Sequence, residues 1–262
     1  MVGGTPGAFI TYLSWPDRAD SVVSDERAIA RLGAAHVMTW APMGMDLKSI
    51  WRGDHDAYVR QYAKGAAAYG KRFYIRLMHE MNGDWYSWGQ GVNGNTAADF
   101  VKAWRHVHDI FEEEGATKIK WVWSPNVRYG SLLPFADLYP GSHYVDWVAL
   151  DGYNWGLDPH LGQPAWQSFK SIFASSYRQL RAVAPGKPVM IAEIASTENG
   201  GDKAAWILKT FLQDVPDYPA IKAVFWNNNI DGPSDFRVQS SKSALNAFRK
   251  VVDSSLWSGT LP

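Results

Sequence analysis

Two glutamates stand at the ends of apolar runs, where paired carboxylates could do acid–base chemistry. Glu80 comes shortly after the run Phe73–Leu77, and Glu193 comes directly after Val189–Ala192. A buried carboxylate is costly unless it is hydrogen-bonded or has a chemical role. In glycoside hydrolysis one carboxylic acid protonates the leaving oxygen, while a second carboxylate attacks the sugar or activates water. A carboxyl separation of about 5–5.5 Å gives retention of configuration, and one of about 6.5–9.5 Å gives inversion.

The neighbours of Glu80 favour this chemistry over a structural carboxylate. A lone histidine is most often a satisfied core residue, but we expect His79, beside an acid, to orient that acid or to bind a sugar hydroxyl. Three rings follow on a turn-like sequence, which places them on a loop where they are expected to face a ligand. These residues are Asn82-Gly83-Asp84, then Trp85, Tyr86 and Trp88.

Seven β-rich runs alternate with helix-like stretches, and no linker divides the chain, so residues 1–262 are predicted to form a single domain. Continuously apolar strands that alternate with helices predict a parallel sheet buried on both faces. An open doubly wound sheet also fits, but the first run lacks the glycine pattern of a nucleotide-binding sheet, so we favour a (β/α) barrel. The predicted strands are Ala8–Leu13, His36–Trp40, Phe73–Leu77, Ile119–Trp123, Trp147–Leu150, Val189–Ala192 and Ala223–Trp226. The predicted helices are Ser24–Leu32, Asp56–Tyr69, Ala97–Glu114, Trp166–Val183, Asp202–Gln213 and Ser241–Val252.

The composition indicates a folded protein with an uncharged partner. Lys plus Arg and Asp plus Glu number 26 each, so no global field attracts nucleic acid or an anionic membrane. There is no cysteine and no apolar run of membrane-spanning length. The 14 Trp, 12 Tyr and 11 Phe could serve as platforms for sugar rings, although composition alone favours core packing.

Metal and cofactor sites are not expected. The histidines show no ligand spacing, since His106 and His108 lie two apart on a predicted helix and point to different faces. Asp54 and Asp56 flank His55 where a helix is predicted to begin, and we interpret them as helix-start residues.

Several segments together resemble glycoside hydrolase family 26, in the order of that family and over most of the chain. The segments are Arg76-Leu77-Met78-His79-Glu80-Met81-Asn82-Gly83 with Trp85 and Trp88, Trp123-Ser124-Pro125-Asn126, Tyr139-Pro140-Gly141, Val145-Asp146-Trp147, Asp151-Gly152-Tyr153-Asn154-Trp155 and Ala192-Glu193. The resemblance implies a (β/α)8 TIM barrel that hydrolyses β-linked polysaccharides with retention. It makes Glu80 the acid/base and Glu193 the nucleophile.

The resemblance also implies roles for further residues. Arg76, His79 and Tyr153 would support the catalytic pair, with His79 beside the acid and Tyr153 bonded to the nucleophile. Substrate would be bound by Asn82, Trp85, Trp88, Asn126, Trp155 and Trp226, of which Trp226 would form the floor beneath the central sugar.

The strand count departs from this family. Only two predicted strands precede Phe73–Leu77, where the family has three, so Ala8–Leu13 takes the second place and the first strand is expected to be missing or irregular. An incomplete barrel exposes strand edges, which usually need a cover or a partner. A homodimer is therefore an open expectation.

The resemblance leaves the substrate among β-1,4-mannan, mixed-linkage β-1,3-1,4-glucan and β-1,3-xylan. We place mannan first, with the glucan as the alternative because Tyr86 and the stretch from Asp151 to Gly156 are more similar to the glucan-cleaving branch. A further alternative is a carbohydrate-binding barrel without catalysis. We expect secretion. A cytoplasmic location stays open, because Met1-Val2-Gly3-Gly4 shows no basic region followed by an apolar signal segment.

Overall fold

Seven strands form one parallel sheet in sequence order, and each strand is hydrogen-bonded to the next. The computed structural model describes residues 6–15, 24–128, 133–158, 165–257, 259 and 261. The strands are β1 (Ala8–Ser14), β2 (Ala35–Ala41), β3 (Tyr74–Leu77), β4 (Lys120–Trp123), β5 (Trp147–Asn154), β6 (Val189–Ser196) and β7 (Ile221–Trp226). All seven predicted strands are therefore confirmed, and β5 and β6 extend four residues further than predicted.

Helices follow most of the strands and cover the outer face of the sheet. They are α1 (Ser24–Arg31), α2 (Leu47–Trp51), α3 (Asp56–Tyr69), α4 (Ala97–Glu113), α5 (Phe135–Leu138), α6 (Phe169–Val183), α7 (Lys203–Lys209) and α8 (Lys242–Val252). The short helices α2 and α5 were not predicted, and neither was a two-stranded hairpin, β8 (Ile230–Asp231) with β9 (Ser234–Asp235). The predicted helix Asp202–Gln213 changes after Lys209 into a π-helical turn.

The helix ends follow local sequence chemistry. Thr96 caps α4 by accepting from the amide of Asp99, whose carboxylate accepts from the amide of Thr96 in return. Gly70 ends α3 in the left-handed region, at φ +66°, which glycine adopts without a steric penalty. Such signals are readable from the sequence because they involve residues only a few positions apart.

The inner face of the sheet is closed around an apolar cluster. Alternate residues of the strands point to it, so that side chains from all seven strands meet there. Ile10 of β1 and Phe225 of β7 pack against this same cluster from opposite edges of the sheet. Two edge strands reach one cluster because the sheet is curled, as in a barrel.

The sheet has two edges in the part of the chain that the structure describes. There, β1 and β7 each pair with a single strand, and most of their residues are only half-buried, whereas β3 and β6 are buried throughout. This arrangement agrees with the predicted barrel of seven strands that lacks the first. Within the same described residues, no helix combines the length and the apolar composition that crossing a bilayer needs.

Candidate active site

A layer of polar side chains lies above the apolar cluster, toward the C-terminal ends of the strands. Thr39, Arg76 and Asp151 continue the inward alternation of β2, β3 and β5, in which Val37, Tyr74 and Ala149 belong to the cluster below. Ser124 and Glu193 contact the same groups. The sheet thus brings five polar residues from five strands or strand ends to one place.

A β-bulge brings Glu193 into this layer. The pairing of β5 with β6 runs Leu150 with Ile191 and then Asp151 with Glu193, which leaves Ala192 as an extra residue. Ala192 belongs to the inner cluster, and strict alternation would therefore turn Glu193 toward the helices. Because the bulge inserts one residue, Glu193 points inward as well.

Arg76 is the hub of the polar layer. Its guanidinium is fully buried and donates to Thr39 Oγ1 at 3.1 Å, to Glu193 Oε1 at 2.8 Å and to Asp151 Oδ2. Ser124 Oγ donates to the same oxygen of Asp151 at 3.1 Å. Burial disfavours the charged guanidinium, but the two carboxylates raise the pKa of Arg76 well above its ordinary value. Arg76 therefore stays a fixed positive charge beside Glu193.

Glu193 is held in its ionised form. Burial alone would raise the pKa of its carboxyl, but the charge of Arg76 and hydrogen bonds from the hydroxyls of Tyr153 and Tyr12 lower it to about 2. The hydroxyl of Tyr153 donates to Oε2, and Asn227 Nδ2 donates to that hydroxyl at 2.8 Å. Burial and the charge of Glu193 raise the pKa of Tyr153 well above its ordinary value, so Tyr153 remains a donor. A carboxylate that is ionised and oriented in this way can act as a nucleophile.

The chain around Glu80 has an unusual backbone. Met78 and Glu80 have φ values of +44° and +53°, in the left-handed region that residues with a side chain rarely adopt. The amide of Glu80 donates to the carbonyl of Ser124 at 2.7 Å, which ties this segment to the end of β4. The strained conformation is thus held by a contact between the ends of two neighbouring strands.

The carboxyl group of Glu80 has surroundings opposite in effect to those of Glu193. Burial raises its pKa, and the negative charge of Glu193 raises it further. Two donors oppose this effect, since Asn126 Nδ2 lies 2.5 Å from Oε1 and Trp85 Nε1 lies 2.8 Å from Oε2. The pKa values of the two acids are therefore pushed apart, as general-acid and nucleophile roles require.

Gly83 allows Trp85 to reach Glu80. A Cβ at position 83 would lie 2.2 Å from the ring of Trp85, so the indole rests directly on the glycine backbone. About 42% of Trp85 remains exposed. The indole thus donates to the acid through its N–H and leaves part of its ring open to a ligand.

The other two rings of this loop stack on each other, and Trp88, which was expected to be a sugar platform, is the buried member. Trp88 is fully buried, its ring lies parallel to that of Tyr86 at 4.4 Å, and its Nε1 donates to the carbonyl of His79 at 2.8 Å. His79 Nε2 is 3.0 Å from the hydroxyl of Tyr86. Burial and the charge of Arg76 lower the pKa of His79 well below its ordinary value, so the ring is neutral. Trp88 fails as a platform because the loop folds back over it.

Asn82, which was expected to bind substrate, is also fully buried, and its side chain is hydrogen-bonded to the backbone of Asn126. Its Nδ2 donates to the carbonyl of Asn126 at 2.9 Å, and its Oδ1 accepts from the amide of Asn126 at 2.9 Å. The side chain of Asn126 in turn donates to Glu80. Asn82 therefore acts on the acid through the backbone of its neighbour.

Two further predicted substrate-binding residues lie after β5 and on β7. Trp155 is half-buried, and its ring lies 5.3 Å from that of Tyr153 and 4.9 Å from that of Phe236. Trp226 is half-buried too, but its ring packs against the helix layer, 5.7 Å from Phe248, and its Nε1 donates to the carbonyl of Phe236. The structure thus brings Trp155 to the site and turns much of Trp226 away from it.

Sequence reasoning did not assign Asp151, Thr39, Tyr12 or Asn227 to the site. A signal for Asp151 was present, since Arg76 on a buried strand needs an anionic partner and Asp151 lies two residues before Tyr153 on another. The contacts of Tyr12 with Glu193 and of Asn227 with Tyr153 depend on which strands curl together. No local pattern marks these two.

Comparison with known proteins places this site in a family context. The family model described as Glycosyl hydrolase family 26 matches residues 71–221, more than half of the chain. "Endoglucanase H" of Acetivibrio thermocellus is 36% identical over 244 residues, which cover 92% of this chain and 27% of that protein. "Mannan endo-1,4-beta-mannosidase A and B" of Caldalkalibacillus mannanilyticus is 35% identical over 130 residues, or 48% of this chain and 22% of that protein. The chain thus spans about a quarter of the length of these relatives.

Solved structures agree at the level of the fold. The catalytic domain of a family 26 endo-beta-1,4-mannanase from a Bacillus species superimposes with a TM-score of 0.72 at 19% identity, covering 97% of this chain and 78% of that one. A Cellulomonas fimi endo-beta-1,4-mannanase double mutant gives 0.68 at 19% identity, covering 91% and 57%. These structures show the shared fold, and the family model, which matches the segment from β3 to the first residue of β7, identifies the chain as a member of glycosyl hydrolase family 26.

Proposed function

We propose that this protein is a retaining endo-β-glycosidase that cleaves a plant-type β-polysaccharide by double displacement. Glu80 is the acid/base and Glu193 is the nucleophile. The proposal treats residues 1–262 as one catalytic domain, and it involves no cofactor or metal. Because a polysaccharide does not cross membranes, the proposed substrate implies action outside the cell.

The observation that carries this proposal is the opposite protonation preference of two buried acids, of which Glu80 follows β3 and Glu193 lies on β6. Burial and Glu193 raise the pKa of Glu80, while Arg76 and Tyr153 hold the pKa of Glu193 at about 2. At a pH above the pKa of Glu193 and below the raised pKa of Glu80, Glu80 carries a proton and Glu193 carries a charge. That combination is the one from which glycosidic cleavage starts.

The first step forms a covalent bond and breaks another. Glu193 attacks the anomeric carbon, and Glu80 gives its proton to the glycosidic oxygen as that bond breaks. Trp85 and Asn126 stabilise the carboxylate left on Glu80 through the hydrogen bonds they already make. The leaving sugar then departs with the proton.

The second step reverses these roles. Glu80, now ionised, takes a proton from a water that attacks the anomeric carbon, and the bond to Glu193 breaks. Arg76 and Tyr153 stabilise the departing carboxylate of Glu193, because they donate to its two oxygens. Two inversions at the same carbon give net retention.

The extent of the two sequence similarities favours β-glucan over mannan as the first candidate substrate. The similarity to Endoglucanase H spans 92% of the chain, whereas the similarity to the Caldalkalibacillus mannosidase spans 48%. Tyr86 also favours β-glucan, because the sequence around it is more similar to the glucan-cleaving branch of the family. We therefore propose a mixed-linkage β-glucan as substrate, with β-1,4-mannan as the second candidate.

A reducing-end assay on mixed-linkage glucan, β-1,4-mannan and β-1,3-xylan tests the function and names the substrate together. We expect release of reducing ends by the wild-type protein, no turnover by Glu193→Ala, and proton NMR of the first product to show the β-anomer. Binding without release from any of the three would favour a carbohydrate-binding barrel instead. First appearance of the α-anomer would overturn the retaining mechanism.

A further inference from the structure

A lysine outside the catalytic pair is buried in a way that requires an explanation. Lys203, the first residue of α7, is fully buried, although long charged side chains rarely lose all contact with water unless they are paired. Its ammonium donates to the carbonyls of Asp235 and Arg237 at 3.0 and 2.8 Å and to Ser240 Oγ at 2.9 Å. Burial lowers the pKa of Lys203 to about 8, against the nearby charges of Glu198 and Asp235.

The three bonds of Lys203 hold one segment, residues 235–240. The two carbonyls flank Phe236, which is fully buried, so the ammonium fixes the backbone on both sides of that ring. The carbonyl of Phe236 accepts from Trp226 Nε1 at 2.8 Å, which ties the same segment to the end of β7. The position of the Phe236 ring therefore depends on Lys203.

The Phe236 ring packs against the residue that orients the nucleophile. Its centroid lies 5.2 Å from the ring of Tyr153, with the planes 32° apart, and 4.9 Å from the ring of Trp155. Tyr153 presents its hydroxyl to Glu193 from this packed position. A chain of direct contacts thus runs from an ammonium on a helix to the carboxylate of the nucleophile.

We propose that Lys203 is a positioning residue for Glu193, acting through Phe236 and Tyr153. The inference rests on the nucleophile role proposed for Glu193. Without the ammonium, the carbonyls of residues 235 and 237 lose their buried donor and the segment shifts. Tyr153 then donates poorly, and the ionised form of Glu193 loses part of its stabilisation.

The test compares Lys203→Met with Lys209→Met, which makes the same change at the other end of α7. The side chain of Lys209 is 55% exposed and its ammonium pairs with Asp214, so its loss is expected to change nothing at the site. For Lys203→Met we expect the acid limb of the kcat/KM profile to move to higher pH. We also expect kcat to fall when it is measured at a temperature well below the melting temperature of the variant. A lower melting temperature with an unchanged acid limb would overturn the proposal.

The pathway is tested by Phe236→Leu and by the double variant. If Lys203 acts through Phe236, the double variant shows the same acid-limb shift as the single ones, because contacts in one chain are not additive. Additive shifts would overturn the pathway.

Should Lys203→Met fail to fold, Ser240→Ala removes one acceptor while the ammonium stays. We expect a smaller shift in the same direction, and no shift would count against the proposal.

A second readout separates this inference from the proposed function. The pKa of Glu193, measured by carbon NMR of labelled glutamate and assigned with Glu193→Gln, reports the contact chain without any turnover. If the wild type hydrolyses none of the three polysaccharides, the proposed function fails. The inference about Lys203 still stands or falls on whether Lys203→Met raises that pKa.

Discussion

The guanidinium of Arg76 donates to Glu193 Oε1 at 2.8 Å while it is fully buried and paired with Asp151. One buried cation therefore pairs with two buried carboxylates. Lysine cannot replace this arrangement, because an ammonium lacks the planar fork of donors. The relationship makes Arg76 both a structural and an electrostatic residue, and the two roles are separable by experiment.

Replacing Arg76 by lysine is expected to lower the free energy of unfolding, measured in urea, by about 1–3 kcal/mol, because an ammonium keeps the charge but leaves some of the buried acceptor oxygens without a donor. Arg60 is the matched control, since its guanidinium also contacts two carboxylates, those of Glu113 and Glu114, but at the surface. Arg60→Lys is expected to leave the free energy of unfolding almost unchanged, because ion pairs at the surface contribute little to stability. Equal losses in the two variants would contradict the hub role of Arg76.

Removing the hydroxyl of Tyr153 is expected to raise the pKa of Glu193, because that hydroxyl stabilises the ionised carboxylate. Glu193 must be ionised for attack, so the acid limb of kcat/KM in Tyr153→Phe should move to higher pH. Tyr177→Phe is the control, because the hydroxyl of Tyr177 accepts from the amide of Ala220, away from the pair. An unchanged acid limb in Tyr153→Phe would contradict the role of this hydroxyl in stabilising ionised Glu193.

Trp85 should affect the opposite limb. Its N–H stabilises the ionised form of Glu80, so Trp85→Phe is expected to raise the pKa of Glu80 and move the alkaline limb of kcat/KM to higher pH. Trp51→Phe is matched, since Trp51 Nε1 also donates to a carboxylate, that of Asp99, at 3.1 Å. Movement of the alkaline limb to lower pH in Trp85→Phe would show that the donor does not act as described.

Gly83→Ala is expected to reproduce part of the Trp85 effect without touching that residue. An added methyl group would overlap the indole ring, so the ring must leave its place and its bond to Glu80. Gly186→Ala is a suitable control, because a Cβ there meets nothing within 4 Å. Unchanged pH profiles in both variants would mean that the indole keeps its bond in another way.

Asn82 should show its role through the leaving group. In Asn82→Ala the backbone of Asn126 loses two hydrogen bonds, so Asn126 no longer holds the carboxyl group of Glu80 in place. Glu80 then becomes a poorer general acid, and general acid catalysis typically contributes about 10²–10⁴-fold to the rate. We expect a large fall in kcat/KM for polysaccharide and a small one for an aryl glycoside, whose leaving group needs little protonation. Asn95→Ala removes a buried amide that donates to the carbonyl of Ser87, and it should lower kcat/KM for both substrates by the same factor. A uniform loss in Asn82→Ala would mark it as purely structural.

The amino-acid sequence by itself determined the seven strands, the six longer helices and the positions of the two principal acids. Apolar runs set the seven strands, and caps such as Thr96 and Gly70 set helix ends, because these features depend on residues close together in the chain. The placement of Glu80 and Glu193 after buried strands predicted a carboxylate pair for the same local reason. Glu193 was expected at the end of its strand and lies within the longer β6.

Only the tertiary structure decided which way the side chains point and what they touch. The bulge at Ala192 turns Glu193 inward, and it is set by the register between two strands that are 40 residues apart. Trp88 is buried because its loop folds back, and Lys203 meets its acceptors because α7 lies beside residues 235–240. These contacts join residues distant in sequence, so no local pattern encodes them. The chemistry of the pair depends on them, because burial and neighbouring charges set the pKa of each acid.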